Sequence, residues 1–206
     1  MPSALAPPAP SVLDAPGDLR RRAHDALLAC VARHGLAKTT LDDVAREAGC
    51  ARATLYRYFG GKAQLVGETV AAEAERLVTD LRAAAAETDD LEDAVVAVTT
   101  TAARWFHDHA AVQFLITFEP ELVLPRVAFD GADRLLAAGS GALAPAFAPY
   151  LEPGYAARLA EWVTRTTLVY VCNPASPFDL RDEAAARALV HEYVLPGFLP
   201  LHPARG

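Results

Sequence analysis

The stretch "ARATLYRYFGGK", residues 51–62, concentrates side chains that can bind an anionic partner. It holds two arginines, a lysine, two tyrosines and a threonine. Arginine and lysine bind phosphates, arginine also pairs with guanine acceptors, and aromatic rings pack against thymine methyl groups. Leu55 and Phe59 are four residues apart, so we expect them, with Ala51 one turn earlier, to face inward on a short helix. The outward set is then Arg52, Ala53, Thr54, Tyr56, Arg57 and Tyr58, with Lys62 just beyond the helix.

The preceding stretch, "KTTLDDVAREAGC", has the signals of a helix that would position this one. Thr40 can accept a hydrogen bond from the backbone N–H of Asp43, and the acids that follow complement the helix dipole. Gly49 ends the helix after about two turns and leaves almost no linker. Two short helices joined by such a turn form a helix-turn-helix, whose second helix fits the DNA major groove.

Charge is unevenly distributed along the chain. From residue 19 to residue 62 there are nine basic and four acidic residues, a net charge of +5. The other 162 residues therefore carry −12, since the whole chain of 206 residues has −7. On charge alone this basic block fits a polyanion-binding segment and an ordinary solvated helix surface equally well.

The segment "TTLDDVAREAGCARATLYRYFGGKAQLV" resembles the DNA-binding region of the tetracycline-repressor (TetR) family of bacterial transcriptional regulators. The resemblance spans about Leu19 to Val66 and implies an all-α protein with a larger C-terminal domain for an inducer and for dimerisation. It also implies that Thr40, Tyr58 and Lys62 contact phosphates. Two features depart from the family pattern: Ala51 leaves the second helix without a side-chain cap, and a glycine pair precedes the lysine.

The sequence pattern of the rest of the chain predicts helix nearly throughout. We expect a disordered tail over 1–17, a DNA-binding domain over 18–62 and an effector-binding and dimerisation domain over 63–206. Aromatic residues of the later helices fit an apolar cavity for a lipophilic or planar effector, although ordinary core packing explains any single one. The candidate cavity residues are Trp105, Phe106, Phe114, Phe118, Phe129, Trp162, Arg165 and Tyr170. The candidate dimer residues are Leu159, Val163, Thr166, Leu189 and Tyr193.

These features predict a ligand-responsive repressor that binds a palindromic double-stranded operator as a homodimer, without a cofactor or metal. The N-terminus lacks the pattern of a signal peptide, so we expect a cytoplasmic protein that does not enter membranes. His107 and His109 are two apart and would point away from each other on a helix, which disfavours a shared metal. An all-helical enzyme or binding protein for an apolar small molecule is the alternative, but no nucleophile and base pair supports an enzyme.

Overall fold

The computed structural model describes residues 16–127, 132–172 and 178–198, and within those ranges it is helical with no strand. This confirms the all-α prediction. No helix among the described residues is long and apolar enough to cross a membrane. The helices are α1 (Pro16–His34), α2 (Leu41–Glu47), α3 (Arg52–Phe59), α4 (Lys62–Ala86), α5 (Leu91–Asp108), α6 (Ala110–Phe118), α7 (Pro120–Val127), α8 (Ala132–Phe147), α9 (Pro153–Cys172) and α10 (Glu183–Leu189). A π-helical turn (Val190–Val194) and a 3-10 turn (Leu195–Gly197) continue α10.

The N-terminal core forms where α1, α2 and α3 meet the start of α4. The apolar stripe of α1 is buried, and Gly35, at φ +82°, follows this helix in the left-handed region. The stripe consists of Leu19, Ala23, Leu27, Cys30 and Val31. The helix begins at Pro16, and Asp18 lies in its first turn and accepts a hydrogen bond from Arg21 at 2.7 Å. Proline suits a first helical turn because its missing N–H has no partner there.

This N-terminal core extends beyond the predicted boundary at residue 62. Leu65 of α4 and Ala111 of α6 are buried in it, and Leu115 of α6 packs against it. The segment expected to bind DNA therefore packs against α6, which begins about fifty residues further along the chain.

A second core joins α4, α5, α8, α9 and α10. Its fully buried side chains include Val95, Phe147 and Leu159. The axes of α8 and α9 approach closely at Gly139, where an added Cβ would come within 2.7 Å of the Thr164 Cγ2 atom. Such close approach requires a residue without a side chain.

Prolines occur in two of the later helices. Pro120 begins α7, because proline is favoured in a first turn. The helix α8 runs to Phe147 with Pro145 inside it. The last helix begins at Glu183, where the Asp182 side chain accepts from the Ala185 N–H at 2.9 Å.

Candidate nucleic-acid interface

The start of α2 carries the predicted capping box. The Asp43 N–H donates to Thr40 Oγ1 at 3.2 Å, and the Thr40 N–H donates to Asp43 Oδ2 at 3.0 Å. The Thr40 hydroxyl also donates to Asp43 Oδ2 at 2.6 Å. These hydrogen bonds from Thr40 hold the pKa of the Asp43 carboxyl below its usual value, with a smaller contribution from Arg46. Reciprocal bonds of this kind satisfy two backbone donors and fix where the helix starts.

A tight turn connects α2 to α3. Gly49 takes φ +66°, and the N–H of Cys50 donates to the Ala45 carbonyl at 2.9 Å. Ala51 follows as the N-cap of α3 and makes no side-chain cap, as predicted. The prediction that Ala51 faces inward is wrong, because it is exposed. It has extended backbone at φ −77° and ψ 143°, so it precedes the helix and does not follow the helical period.

Opposite faces of α3 have opposite character. Leu55 is fully buried and Phe59 is 4% exposed, whereas Tyr56 is 61% exposed. Arg52 and Arg57 are exposed with Tyr56, and so is Ala53. Thr54 and Tyr58 are half-buried at the edges of this face. The structure thus brings the outward set predicted from the sequence together on one helix surface.

The two arginines of α3 have weak partners at the surface. Arg52 forms an ion pair with Asp42 of α2 at 3.3 Å, and both side chains are more than half exposed, at 64% and 56%. The Arg57 guanidinium lies over the Tyr58 ring, 5.7 Å from its centre. Exposed contacts of these two kinds contribute about 1 kcal/mol or less each. Both cations can therefore exchange their partners for a phosphate or a base at small cost.

The segment after α3 returns the chain to the N-terminal core. Gly60, at φ +75°, ends α3 with its N–H donating to the Tyr56 carbonyl at 2.7 Å. Lys62 is the first residue of α4, and its Nζ donates to the Leu36 carbonyl at 2.6 Å. Lys62 is thus already bonded in the free protein, so a phosphate contact would share or replace this bond.

The candidate cavity residues do not form one group. Trp105 and Phe106 meet edge to face at 5.1 Å on α5, and Phe114 and Phe118 meet at 4.9 Å on α6. Trp162, Arg165 and Tyr170 lie on α9, in a groove between that helix and the segment from Phe178 to Val194. Phe129 lies outside the described residues. The groove is lined by Trp162, Arg165, Thr166, Val169, Tyr170, Phe178, Leu189, Tyr193 and Val194.

The candidate dimer residues divide by burial. Leu159, Val163 and Leu189 are 0–2% exposed and pack in the chain's own C-terminal core. Intrachain packing therefore accounts for the burial of these three, although Leu189 also lines the groove beside α9. Thr166 and Tyr193 do reach the surface, and Tyr193 is 64% exposed.

Three polar residues, His107, His109 and Glu119, have partners that the sequence does not indicate. His107 contacts Arg181 at 2.8 Å, whereas His109 accepts from the Val112 N–H at 3.3 Å and caps α6. The two histidines thus make separate contacts, but the helical spacing does not apply to His109, which has extended backbone between α5 and α6. The Glu119 side chain faces the turn after α1. No local signal marks that contact, because the bonded residues are 83 positions apart.

Comparisons with known proteins agree with this geometry. Residues 24–69 match the sequence model described as "Bacterial regulatory proteins, tetR family". An uncharacterized HTH-type transcriptional regulator of Mycobacterium tuberculosis is 29% identical over 164 residues, which cover 80% of this chain and 77% of that protein. The HTH-type transcriptional regulator BetI of Agrobacterium fabrum is 45% identical over 65 residues, which cover 31% of this chain and 30% of BetI.

The fold is similar to that of a solved repressor. The TetR family repressor AlkX from a Dietzia species superposes with a TM-score of 0.64 at 20% identity, covering 86% of this chain and 95% of AlkX. That likeness extends the comparison to the C-terminal helices, since the family model matches only the N-terminal part. The N-terminal segment thus carries the sequence pattern of the TetR-family regulatory proteins, the chain is similar over most of its length to an HTH-type transcriptional regulator, and its fold is similar to that of a TetR family repressor.

Proposed function

We propose that this regulator is a repressor that binds a palindromic operator as a homodimer and is released by an apolar small molecule. The observation that carries the DNA-binding part is the division of α3, with Leu55 buried and Tyr56, one residue later, 61% exposed. A fixed inner face and a projecting polar, cationic outer face are what a recognition helix needs to enter the major groove.

The exposed side chains have distinct proposed roles. Arg52 and Arg57 pair with guanine acceptors or phosphates, and the Tyr56 ring packs against a thymine methyl group or a sugar. Thr40 and Tyr58, at the edges of the unit, bind phosphates. Phosphate contacts position the protein on the duplex, and the contacts to base edges select the sequence.

A second copy of the chain is the proposed occupant of the groove between α9 and the segment from Phe178 to Val194. Trp162, Val169 and Tyr193 are large apolar side chains that are 47%, 64% and 64% exposed in the single chain. Two antiparallel copies of this surface would form a four-helix interface about a two-fold axis. A two-fold dimer places two recognition helices on successive major grooves, which accounts for a palindromic operator.

The effector site is proposed beside the aromatic residues of α5 and α6. Trp105, Phe106 and Phe114 are half-buried there, and α6 packs against the N-terminal core. Rings that are only partly covered can complete their burial on an apolar ligand. A ligand that fits only one arrangement of α6 shifts the population of the recognition helices, and couplings of this kind change affinity about 5- to 150-fold.

The DNA-binding proposal is tested with duplex fragments from the protein's own genomic neighbourhood. Fluorescence anisotropy should show tight binding to one fragment and weak binding to a scrambled duplex of the same composition. The logarithm of affinity should fall linearly with the logarithm of salt, by about 0.9 per phosphate contacted. A protein with no sequence-selective duplex binding at low salt would contradict the proposal.

The dimer is tested by charge substitutions on α9. Trp162→Glu places a carboxylate in the proposed interface, and we expect sedimentation to show a monomer at micromolar concentration. Tyr155→Glu is the matched control, since Tyr155 is an equally exposed aromatic on the same helix, at 48%, and it lies outside the groove. If the wild-type protein sediments as a monomer, or if both variants remain dimeric, the groove is not the interface.

A further inference from the structure

Glu119 lies between α6 and α7, and its carboxylate is buried against the turn that follows α1. The residue is 8% exposed. The backbone N–H of Leu36 donates to its Oε2 atom at 2.7 Å, and that of Ala37 donates to its Oε1 atom at 3.2 Å. Both carboxylate oxygens are thus used by consecutive amides of a turn that belongs to the DNA-binding unit.

The turn is shaped to receive this carboxylate. Gly35 takes φ +82°, and a Cβ there would collide with Glu119 Oε1 and come within 2.7 Å of the Phe114 ring. Consecutive N–H groups after a left-handed residue form a concave site that binds an anionic oxygen. On the other side of the turn, the Leu36 carbonyl accepts from Lys62 Nζ at 2.6 Å. The amides and the carbonyl of the turn are therefore held by different helices.

The backbone of Glu119 belongs to both helices that it joins. Its N–H donates to the Leu115 carbonyl at 3.0 Å and closes α6, while its carbonyl accepts from the Leu122 N–H at 3.0 Å and opens α7. A shift or rotation of either helix relative to the turn therefore displaces the backbone that carries the Glu119 carboxylate.

The turn leads directly into α2. Thr39 donates from its hydroxyl to the Gly35 carbonyl at 2.7 Å, and the next residue, Thr40, is the cap of α2. A displacement of the turn therefore reaches α2, and through the tight turn at Gly49 it reaches α3. The path runs through the hydrogen bonds of Thr39 and Thr40 and then along the chain through the Gly49 turn, where the Cys50 N–H donates to the Ala45 carbonyl at 2.9 Å.

We propose that Glu119 is a positioning residue for DNA binding, which sets the orientation of the recognition helix relative to α6 by holding the turn at residues 35–37. This inference rests on the proposed function, because α3 must be the helix that reads DNA. It also gives a route for regulation: a small molecule that displaces α6 or α7 withdraws the carboxylate, and the recognition helix loses its fixed orientation.

The test compares Glu119→Gln with Glu121→Gln. Glutamine keeps the shape of the side chain but presents an NH2 donor where two backbone donors need acceptors. Glu121 is exposed in the first turn of α7, so its substitution makes the same charge change two residues away. Affinity for the selected duplex is measured well below the melting temperature, together with hydrogen exchange at the Leu36 and Ala37 amides.

We expect Glu119→Gln to lower duplex affinity about tenfold or more, the scale of a lost hydrogen bond to a charged group. Exchange should become faster at the two turn amides, and Glu121→Gln should match the wild type in both measurements. A purely structural role would lower the melting temperature and leave the affinity of the folded fraction unchanged. If the glutamine variant does not fold, Glu119→Asp keeps the charge one methylene short of the turn and is judged by the same two measurements.

Three results would overturn the proposal in distinguishable ways. Wild-type affinity in the folded Glu119 variant would reject the positioning role while the wild-type protein still binds DNA. An equal loss in Glu121→Gln would assign the effect to charge and not to the turn. A wild-type protein that selects no duplex would reject the proposed function itself, and the role of Glu119 with it.

Discussion

Three neighbouring alanine substitutions on α3 test whether the two faces of the helix have separate roles. Leu55 is fully buried in the N-terminal core, and truncating such a leucine costs about 2–5 kcal/mol of stability. In a protein of this size each kcal/mol corresponds to about 2–4 °C in melting temperature, so Leu55→Ala should lower it by roughly 4–20 °C. The loss comes from the cavity left behind and from the apolar contacts removed.

The exposed neighbours should behave differently. Tyr56 is 61% exposed, and a surface substitution of this kind changes stability by about 0.5 kcal/mol or less. Arg57→Ala also removes the contact with the Tyr58 ring, which contributes about 0.5–1 kcal/mol at an exposed site. Both variants should therefore melt within a few degrees of the wild type. Each should lose about 5- to 150-fold in affinity for the selected duplex, the range of about 1–3 kcal/mol per specific base contact.

The assay pairs a thermal melt with fluorescence anisotropy on one duplex, at a temperature where every variant is folded. Tyr155→Ala serves as the control, because Tyr155 is an exposed tyrosine far along the chain on α9. Equal melting losses in Leu55→Ala, Tyr56→Ala and Arg57→Ala would refute the assignment of faces. Normal duplex affinity in both exposed variants would refute the assignment of α3 as the recognition helix.

Two further substitutions test the stability of the same unit. Ala51→Ser adds a side-chain cap at a position that already has the extended backbone of an N-cap. The substitution should raise the free energy of unfolding in urea by about 0.5–2 kcal/mol. An unchanged urea midpoint would mean that α3 does not need a cap. Burial of His24 lowers its pKa below 6.5, so the folded state resists protonation and stability should fall as the pH drops below about 6.5. Melting curves between pH 7.5 and 5.5 should show this loss of stability in the wild type and a smaller loss in His24→Gln. One proton can change the free energy of unfolding by at most about 1.4 kcal/mol per pH unit. The same pH dependence in both proteins would exclude His24 as its source.

The elements that sequence reasoning predicts well are those set by near neighbours. The Thr40 cap and the buried pair Leu55 and Phe59 depend on spacings of three and four residues, and the structure confirms both. Ala51 shows the limit of the helical period, because a cap residue has extended backbone and does not share a face with the helix that follows.

The burial of apolar stripes depends on partners that a stripe does not specify. Leu159 and Tyr193 both lie on apolar stripes of the last helices, yet one is fully buried inside the chain and the other is 64% exposed. Periodicity shows that a face is apolar and leaves open whether the same chain or a second copy covers it. Glu119 is a stronger case, because its partners are defined only once α6 packs beside α1.

Some cations of the basic block, residues 19–62, already have acidic partners within the protein. Arg33 pairs with Glu47, and Arg20 pairs with Glu68, so these two cations of α1 contact α2 and α4. The pair of Arg52 with Asp42 lies on the outward face, where solvent and salt weaken it. All three pairs are at least partly exposed to solvent, but the first two engage cations of α1, whereas only the third engages a cation of α3. Net charge over residues 19–62 therefore overstates the number of cations available to DNA, and the outer face of α3, with Lys62 beside it, is the more specific predictor of where the duplex binds.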